Sequence, residues 1–368
     1  MALRVIHCGS GQLGKRALRG ICHHPELELV GQFVWSKDKV GVDCGVLAGL
    51  DPVGVTATDD WNALFALGAD CLCDFGRSMP GEHDRWLTHS LPLLERGTNI
   101  VNYSAFEFAH PPTAPKETRA RIEAACKAGN SSFLFAGIDP GWATTDLALS
   151  ALAAADRIDC VRVLELGYFG HYSSQTLRDI FGFGMEPGVT PGMLRNGKLK
   201  ALWAPTLYQI ADALGVEIDD WETFFEVETL DHDIEAGIGT VKAGTAVVLH
   251  FELRAMSGGA PIAIVEHVDS IWRGAGAKWK APHAPVDLVY RIEIEGSPSF
   301  SVEFAFPPDK GAPSACPAMP AVNAIPALCD ARAGLLDPLD IPRYWGRNVR
   351  PSARKRAEGA RLDRSAAN

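Results

Sequence analysis

Six residues near the start of the chain, Gly9-Ser10-Gly11-Gln12-Leu13-Gly14, follow a short apolar run (4–8) and lead into a helix-forming stretch (15–23). A glycine turn between a strand and a helix has a definite chemical use. Gly9 permits the tight turn, Gly11 lets the backbone approach a pyrophosphate, and Gly14 lets helix and strand pack closely. The free N–H groups of the helix start then face the phosphates. About 20 residues further on, a site for NAD usually has a carboxylate that takes the ribose hydroxyls. Here the second apolar run ends in Trp35-Ser36-Lys37-Asp38-Lys39. Ser36, Lys37 and Lys39 suit a 2′-phosphate, so NADP is the expected cofactor, with NAD as the alternative. Two later loops hold further candidates. "NIVNYSAFEFAHPP" (99–112) sets Glu107 between Phe106 and Phe108, where an apolar surround would raise its pKa and strengthen its hold on a cation. "GIDPGWATTD" (137–146) brings Asp139 and Trp142 to the same edge, with Asp139 read as facing the cofactor.

These loops need a parallel sheet to position them. Apolar runs at 4–8, 27–35, 69–75, 99–104 and 132–141 alternate with helical stretches at 15–23, 82–97 and 115–130, the pattern of crossover-linked parallel strands. After about residue 157 the rhythm changes. Long strands are expected at 160–170, around a Ser-Gly-Gly turn within 245–272, at 287–296 and at 299–306, with a helix at 203–214 against one face. The expected fold is α/β: an N-terminal Rossmann-type parallel-sheet domain (1–155), completed by a return helix (318–331), plus an α+β domain with a largely antiparallel sheet (156–317) for substrate and dimerisation. Residues 343–368 read as a basic, flexible tail.

Composition narrows the partners. A formal charge of -10 argues against nucleic acid and anionic membranes. No run of about 18 apolar residues spans a bilayer, and no secretory signal is visible. Nine cysteines, with no C-x-x-C pair, read as reduced thiols of a cytoplasmic protein, and no Cys/His spacing fits a metal. G-x-S-x-G, H-E-x-x-H and Walker patterns are absent from the sequence.

The stretch "KVGVDCGVLAGL" (39–50), with the glycine loop before it and Asp74-Phe75 after it, resembles dihydrodipicolinate reductase. That resemblance places Asn102 and Tyr103 near the nicotinamide. The second part lacks the reductase's paired His, Lys and Ser-Gly-Thr. Instead "RDIFGFG" (178–184) and "VNAIPALCDARAGLLDPLDIP" (322–342) resemble the 2,4-diaminopentanoate dehydrogenase and native amine dehydrogenase family, over most of residues 3–342. The family implies NAD(P)-linked oxidative deamination, reversible as reductive amination with ammonia, by homodimers. It also implies a catalytic Glu just before the matching proline, for which Glu107 is the best match, and an aromatic pocket wall near Trp142.

Removing a hydride from an amine carbon leaves an iminium cation. The site therefore needs a proton acceptor and negative charge near nitrogen in a dry pocket. Glu107 is the expected catalytic group. Tyr168, His171 and Tyr172, in "YFGHYSS" (168–174), follow the second domain's first strand, where the reductase family keeps its catalytic groups. His267 lies on an alternating strand, facing either the cleft or the sheet. The few charges in these loops suggest a small, mostly apolar amine or ketone. The alternatives are a carbonyl or imine reductase on the same scaffold, with Tyr103, Tyr168 or His171 as proton donor, and a non-catalytic NADP sensor.

Overall fold

The computed structural model describes residues 2–78, 82, 84–306 and 316–349. Of the expected basic tail, residues 350–368 lie outside these. The first half builds strands β1 (Leu3–Cys8), β2 (Leu27–Phe33), β3 (Ala57–Thr58), β4 (Cys71–Asp74), β5 (Asn99–Asn102) and β6 (Ser132–Phe135). Between them run helices α1 (Gln12–His23), α2 (Cys44–Leu47), α3 (Trp61–Phe65), α4 (Asp84–Glu95) and α5 (Lys116–Gly129). Near the end of the described chain come α8 (Met319–Cys329) and a strand, β15 (Gly334–Leu336), that the sequence reading did not contain. The seven strands pair in parallel in the order β15-β6-β5-β4-β1-β2-β3. The order reverses between β1 and β4, and that crevice at the carboxyl edge is where such sheets bind ligands.

Both faces of this sheet are buried. Ile6, Leu72, Ile100 and Phe133 pack with Leu87, Leu94 and Ile122 of α4 and α5. Val5, Cys71, Cys73, Val101 and Leu134 pack with Ala17 and Ile21 of α1 and Val322, Ile325 and Leu328 of α8. Cys71 and Cys73 thus share a face, as strand alternation requires. The eight cysteines whose side chains are described are all free thiols.

The chain leaves β6 through a loop, a wide helical turn (Trp142–Asp146) and α6 (Leu147–Leu152), and enters the second sheet. Its strands are β7 (Arg157–Tyr168), β8 (Asp220–Thr229), β11 (Ala246–Ser257), β12 (Ala260–Ser270), β13 (Leu288–Ser297) and β14 (Phe300–Phe306), in the order β14-β13-β7-β12-β11-β8. All neighbours are antiparallel except β7 and β12, so the sheet is mixed. β8 and a small hairpin of β9 (Ile234–Ala236) and β10 (Gly239–Val241) were also absent from the sequence reading. Strand alternation divides the sheet's residues between two faces. Val161, Val163, Phe251, Leu253, Val265 and Ile292 face α7 (Lys198–Leu214), which starts at Lys198 rather than at 203. The opposite face carries ion pairs, among them Arg162 with Glu252 and Glu266, and Lys280 with Glu293. Among the described residues, no helix is long and apolar enough to cross a membrane.

Ile325 is fully buried between α8 and the first sheet. Ile325→Ala should therefore cost about 2–5 kcal/mol of stability, read as a lowered urea midpoint with a single cooperative transition.

Candidate active site

The glycine loop has the geometry its spacing implied. Gly9 sits at φ +103, and a Cβ there would lie 2.6 Å from the Phe75 carbonyl oxygen. At Gly14 a Cβ would lie 2.8 Å from the Gly9 oxygen, so helix and turn touch. Gly11 differs: no atom lies within 4 Å of where its Cβ would be, so the loop presents bare backbone to open space. Gly11 caps α1 without a side-chain hydrogen bond, and the first turn holds no acid. The N–H groups at Gln12, Leu13 and Gly14 therefore meet an anion without competition, which fits a dinucleotide pyrophosphate.

At the end of β2 the candidates separate. Lys39 donates from Nζ to Ser10 Oγ at 3.0 Å and to the Ser10 carbonyl at 3.2 Å, placing its charge beside the loop. Lys37 turns away and pairs with Asp59. Ser36 precedes the turn that holds both lysines.

The next two strand ends form one hydrogen-bonded corner. Asp74 accepts from the Gly76 N–H (2.8 Å) and from Asn102 Nδ2 (3.1 Å), and pairs with His89 Nε2 at 2.9 Å. Burial opposes its charge, yet His89 and the Gly76 N–H hold its pKa below the ordinary value. Asn102 Oδ1 accepts from the N–H groups of Ser104 and Ala105, both at 2.8 Å. Asn102 is thus a buried brace for the loop. Tyr103 stacks on Phe75 with centroids 4.7 Å apart.

The same loop carries Glu107, in a short helical turn, Phe106–Ala109. Phe108 is buried, Phe106 and Glu107 half-buried. Glu107 lines a cavity of about 620 Å³ with Asn196, Lys198, Lys200 and Tyr208 at the start of α7. Its surround is therefore more polar than two flanking phenylalanines suggested.

The apolar environment expected at Glu107 is found at Glu165. Register lines up one row across the second sheet: Phe304, Tyr290, Glu165, His267, Phe251 and Phe225, from β14 to β8. His267 faces α7 and the first domain, which settles the ambiguity of its strand. Its ring stacks on Phe251 at 4.5 Å and meets the edge of Trp203 at 4.9 Å. Nε2 lies 3.1 Å from Asp139 Oδ2, and Nδ1 lies 3.7 Å from Asp269 and 3.9 Å from Glu165. These approaches are not aligned as hydrogen bonds, and both ring nitrogens lack a hydrogen-bond partner. Trp203 donates its indole N–H to Asp139 at 3.4 Å. Asp139 thus faces the second sheet rather than the glycine loop.

Electrostatics ties this group together. Burial, reinforced by Asp269 and Asp139, pushes Glu165 up to about 8 although His267 pulls it down. Burial opposes charge on His267, yet Asp139, Asp269 and Glu165 hold its pKa well above the ordinary value. Tyr290, opposite Glu165 across β13 and β7, is raised by burial and by the Glu165 and Asp139 charges.

The other candidates are scattered. Trp142 packs edge-on against Phe304 at 5.1 Å and lines a separate cavity with Asp146 and Tyr344. Tyr168, three residues after Glu165, falls on the opposite sheet face, with Arg273 4.1 Å over its ring. His171 is exposed and lies edge-on to Tyr168. The structure does not bring these two to His267. Tyr172 is half-buried against Phe169, and burial together with Glu165 and Asp287 raises its phenol. Sequence reasoning missed Glu165, Asp269, Tyr290 and Trp203. The signal available for the first two was their parity with His267 on strands it had already drawn.

A parallel sheet with a glycine-rich phosphate loop, covered by a second mixed sheet, defines a two-domain NAD(P)-dependent oxidoreductase. Residues 3–85 match the family described as dihydrodipicolinate reductase, N-terminus. A relative from Streptomyces virginiae named amine dehydrogenase is 30% identical over 341 residues, covering 91% of this chain and 94% of that one. The structure of an amine dehydrogenase from Mycobacterium smegmatis aligns with a TM-score of 0.76 and 18% identity, covering 95% of this chain and 98% of the other. An oxidoreductase from Agrobacterium radiobacter, solved with NAD+, L-tartaric acid and magnesium, aligns with a TM-score of 0.52 and 12% identity over 90% of this chain and 88% of that one. The chain belongs to the amine dehydrogenase family.

The buried group makes a pH prediction. Glu165 and His267 both hold protons more tightly folded than unfolded, so the native state binds more protons and stability falls as pH rises. For Glu165 the window runs from 4.5 to about 8, and for His267 it opens above 6.5. Urea unfolding should show less stability at pH 8 than at pH 6.5, and Glu165→Gln should reduce that loss. Equal slopes in wild type and variant would remove Glu165 as its source.

Proposed function

We propose that the chain catalyses reversible, NADP(H)-linked oxidative deamination of a small, mostly apolar amine, with Glu107 as proton acceptor. The observation that carries this reading is the position of Glu107. It projects from the β5 loop at the carboxyl edge into a cavity large enough for a small molecule, in a chain 30% identical to an amine dehydrogenase.

Gly9 to Gly14 and the start of α1 hold the pyrophosphate, and Lys39 with Ser10 takes the 2′-phosphate. When bound, the nicotinamide supplies the hydride acceptor. An ammonium has no free electron pair, so Glu107 first takes a proton from the substrate nitrogen. Once Glu107 has passed that proton to solvent, its carboxylate stabilises the positive charge that nitrogen gains as hydride departs. Asn102 and Asp74 hold the β5 loop in place, and Tyr103 on Phe75 walls the cofactor side. Water then adds to the iminium carbon, releasing ketone and ammonia; reductive amination is the reverse. Homodimerisation through the second sheet belongs to the same reading.

Ketone-dependent NADPH oxidation should require ammonium. Equal rates without it would replace this reading by a carbonyl reductase. Glu107→Ala should leave NADPH affinity near normal and lower turnover by about 10²-fold or more; retained turnover removes Glu107 from the chemistry. Lys39→Ala should weaken NADPH binding by about 10-fold or more, the scale of a charge-assisted hydrogen bond, and leave NADH binding nearly unchanged. Fluorescence titration with each cofactor measures both.

A further inference from the structure

The cavity that Trp142 shares with Asp146 and Tyr344 plays no part in the reaction above. It measures about 330 Å³, at the lower end of the range for small-molecule sites, and has no lining residue in common with the Glu107 cavity. One side is the wide turn at 142–146 with α6, and the other is the segment 338–344, which follows β15. Trp142, Leu147, Leu149, Leu339 and Ile341 make the wall apolar. Asp146, Arg343 and Tyr344 bring polar ends to the same space. Ser150 lines it too, but its hydroxyl already donates to the Asp146 carbonyl at 2.7 Å.

An aspartate beside a helix start usually accepts from the first N–H groups. Asp146 instead has helical backbone and makes no such bond with α6. Burial and the Asp337 charge push it up to about 6 while Arg343 pulls it down, so near neutral pH it is a carboxylate with a guanidinium in its field. Among the described residues, neither Asp146 nor Arg343 forms an ion pair, with the other or with any third side chain. Burial and the Asp146 charge raise the Tyr344 phenol as well. Polar groups withdrawn from water nearly always have partners. An anion and a cation that face one apolar space without closing on each other fit a molecule that carries both charges.

We propose that this cavity binds a free α-amino acid with an apolar side chain. Asp146 takes the α-ammonium, Arg343 takes the α-carboxylate, and the wall between α6 and 338–344 takes the side chain. A charge-assisted hydrogen bond at each end separates such a zwitterion from an amine or an acid of the same shape. Trp142 lines the cavity and also meets the edge of Phe304 on β14 at 5.1 Å, so the site borders the second sheet. The site stands independently of the deamination reading: the amino acid is held there, not turned over.

Calorimetric titration of the full chain without cofactor at pH 8 tests this. The probes are L-leucine, L-phenylalanine, isoamylamine, which lacks the carboxylate, and isocaproate, which lacks the ammonium. One of the amino acids should bind about 10-fold or more tightly than either analogue. Asp146→Asn and Arg343→Ala should each weaken the amino acid by about 10-fold or more. Asp146→Asn should erase the preference over isocaproate, and Arg343→Ala the preference over isoamylamine, with cooperative thermal melting showing that both variants fold. Glu107→Ala should bind the amino acid as the wild type does, whether or not Glu107 acts in the chemistry. No binding of either amino acid at millimolar concentration overturns the proposal. So do equal affinities for leucine and isoamylamine, an amino-acid affinity that survives both substitutions, or one lost only in Glu107→Ala.

Discussion

Asp139 leaves the carboxyl edge of one sheet and His267 stands on the face of another, yet their side chains lie 3.1 Å apart with almost no access to water. Charge so placed is tolerated only where partners are held rigidly on both sides. Trp203 from α7, Phe251 from β11 and Tyr290 from β13 supply that rigidity. The loop after β6 thus meets the second sheet through a buried Asp139–His267 pair set among aromatic rings.

The arrangement divides labour between the layers. The parallel sheet offers backbone N–H groups and one lysine, which suit phosphates. The mixed sheet gathers carboxyls around His267. Glu107 stands on the loop after β5, whose start is braced by Asn102 and Asp74. The opposite face of the mixed sheet alternates acids with Arg162, Arg254, Lys280 and Arg291, and its charges are mostly paired. The excess of carboxyls facing α7 is thus a property of one face.

Much of this was legible in the residues themselves. Gly9, Gly11 and Gly14 encode their turn locally, so spacing sufficed. Most strands of the first sheet followed from short apolar runs between helical stretches. β15 escaped because three residues carry no period, and its pairing with β6 is contact between distant segments. The site was harder for a related reason. Glu165 and His267 meet through strand register, and β7 pairs with β12 in parallel, against the antiparallel expectation. Tyr168 was read as a pocket residue, yet it lies three residues along the strand from Glu165, which reverses the face. Glu107 was visible as a type of residue, but the lysines of its cavity come from α7, some ninety positions away.

The placement of α8 and β15 has a consequence for how the molecule is made. Both belong to the first domain, yet they follow the whole second sheet along the chain. Until residues 319–336 are made, β6 is an edge strand and the face carrying Val5, Val101 and Leu134 has only α1 for cover. The second sheet is thus complete in the chain before the first sheet has its last helix and edge strand. The nucleotide-holding half, started first, is the last to close.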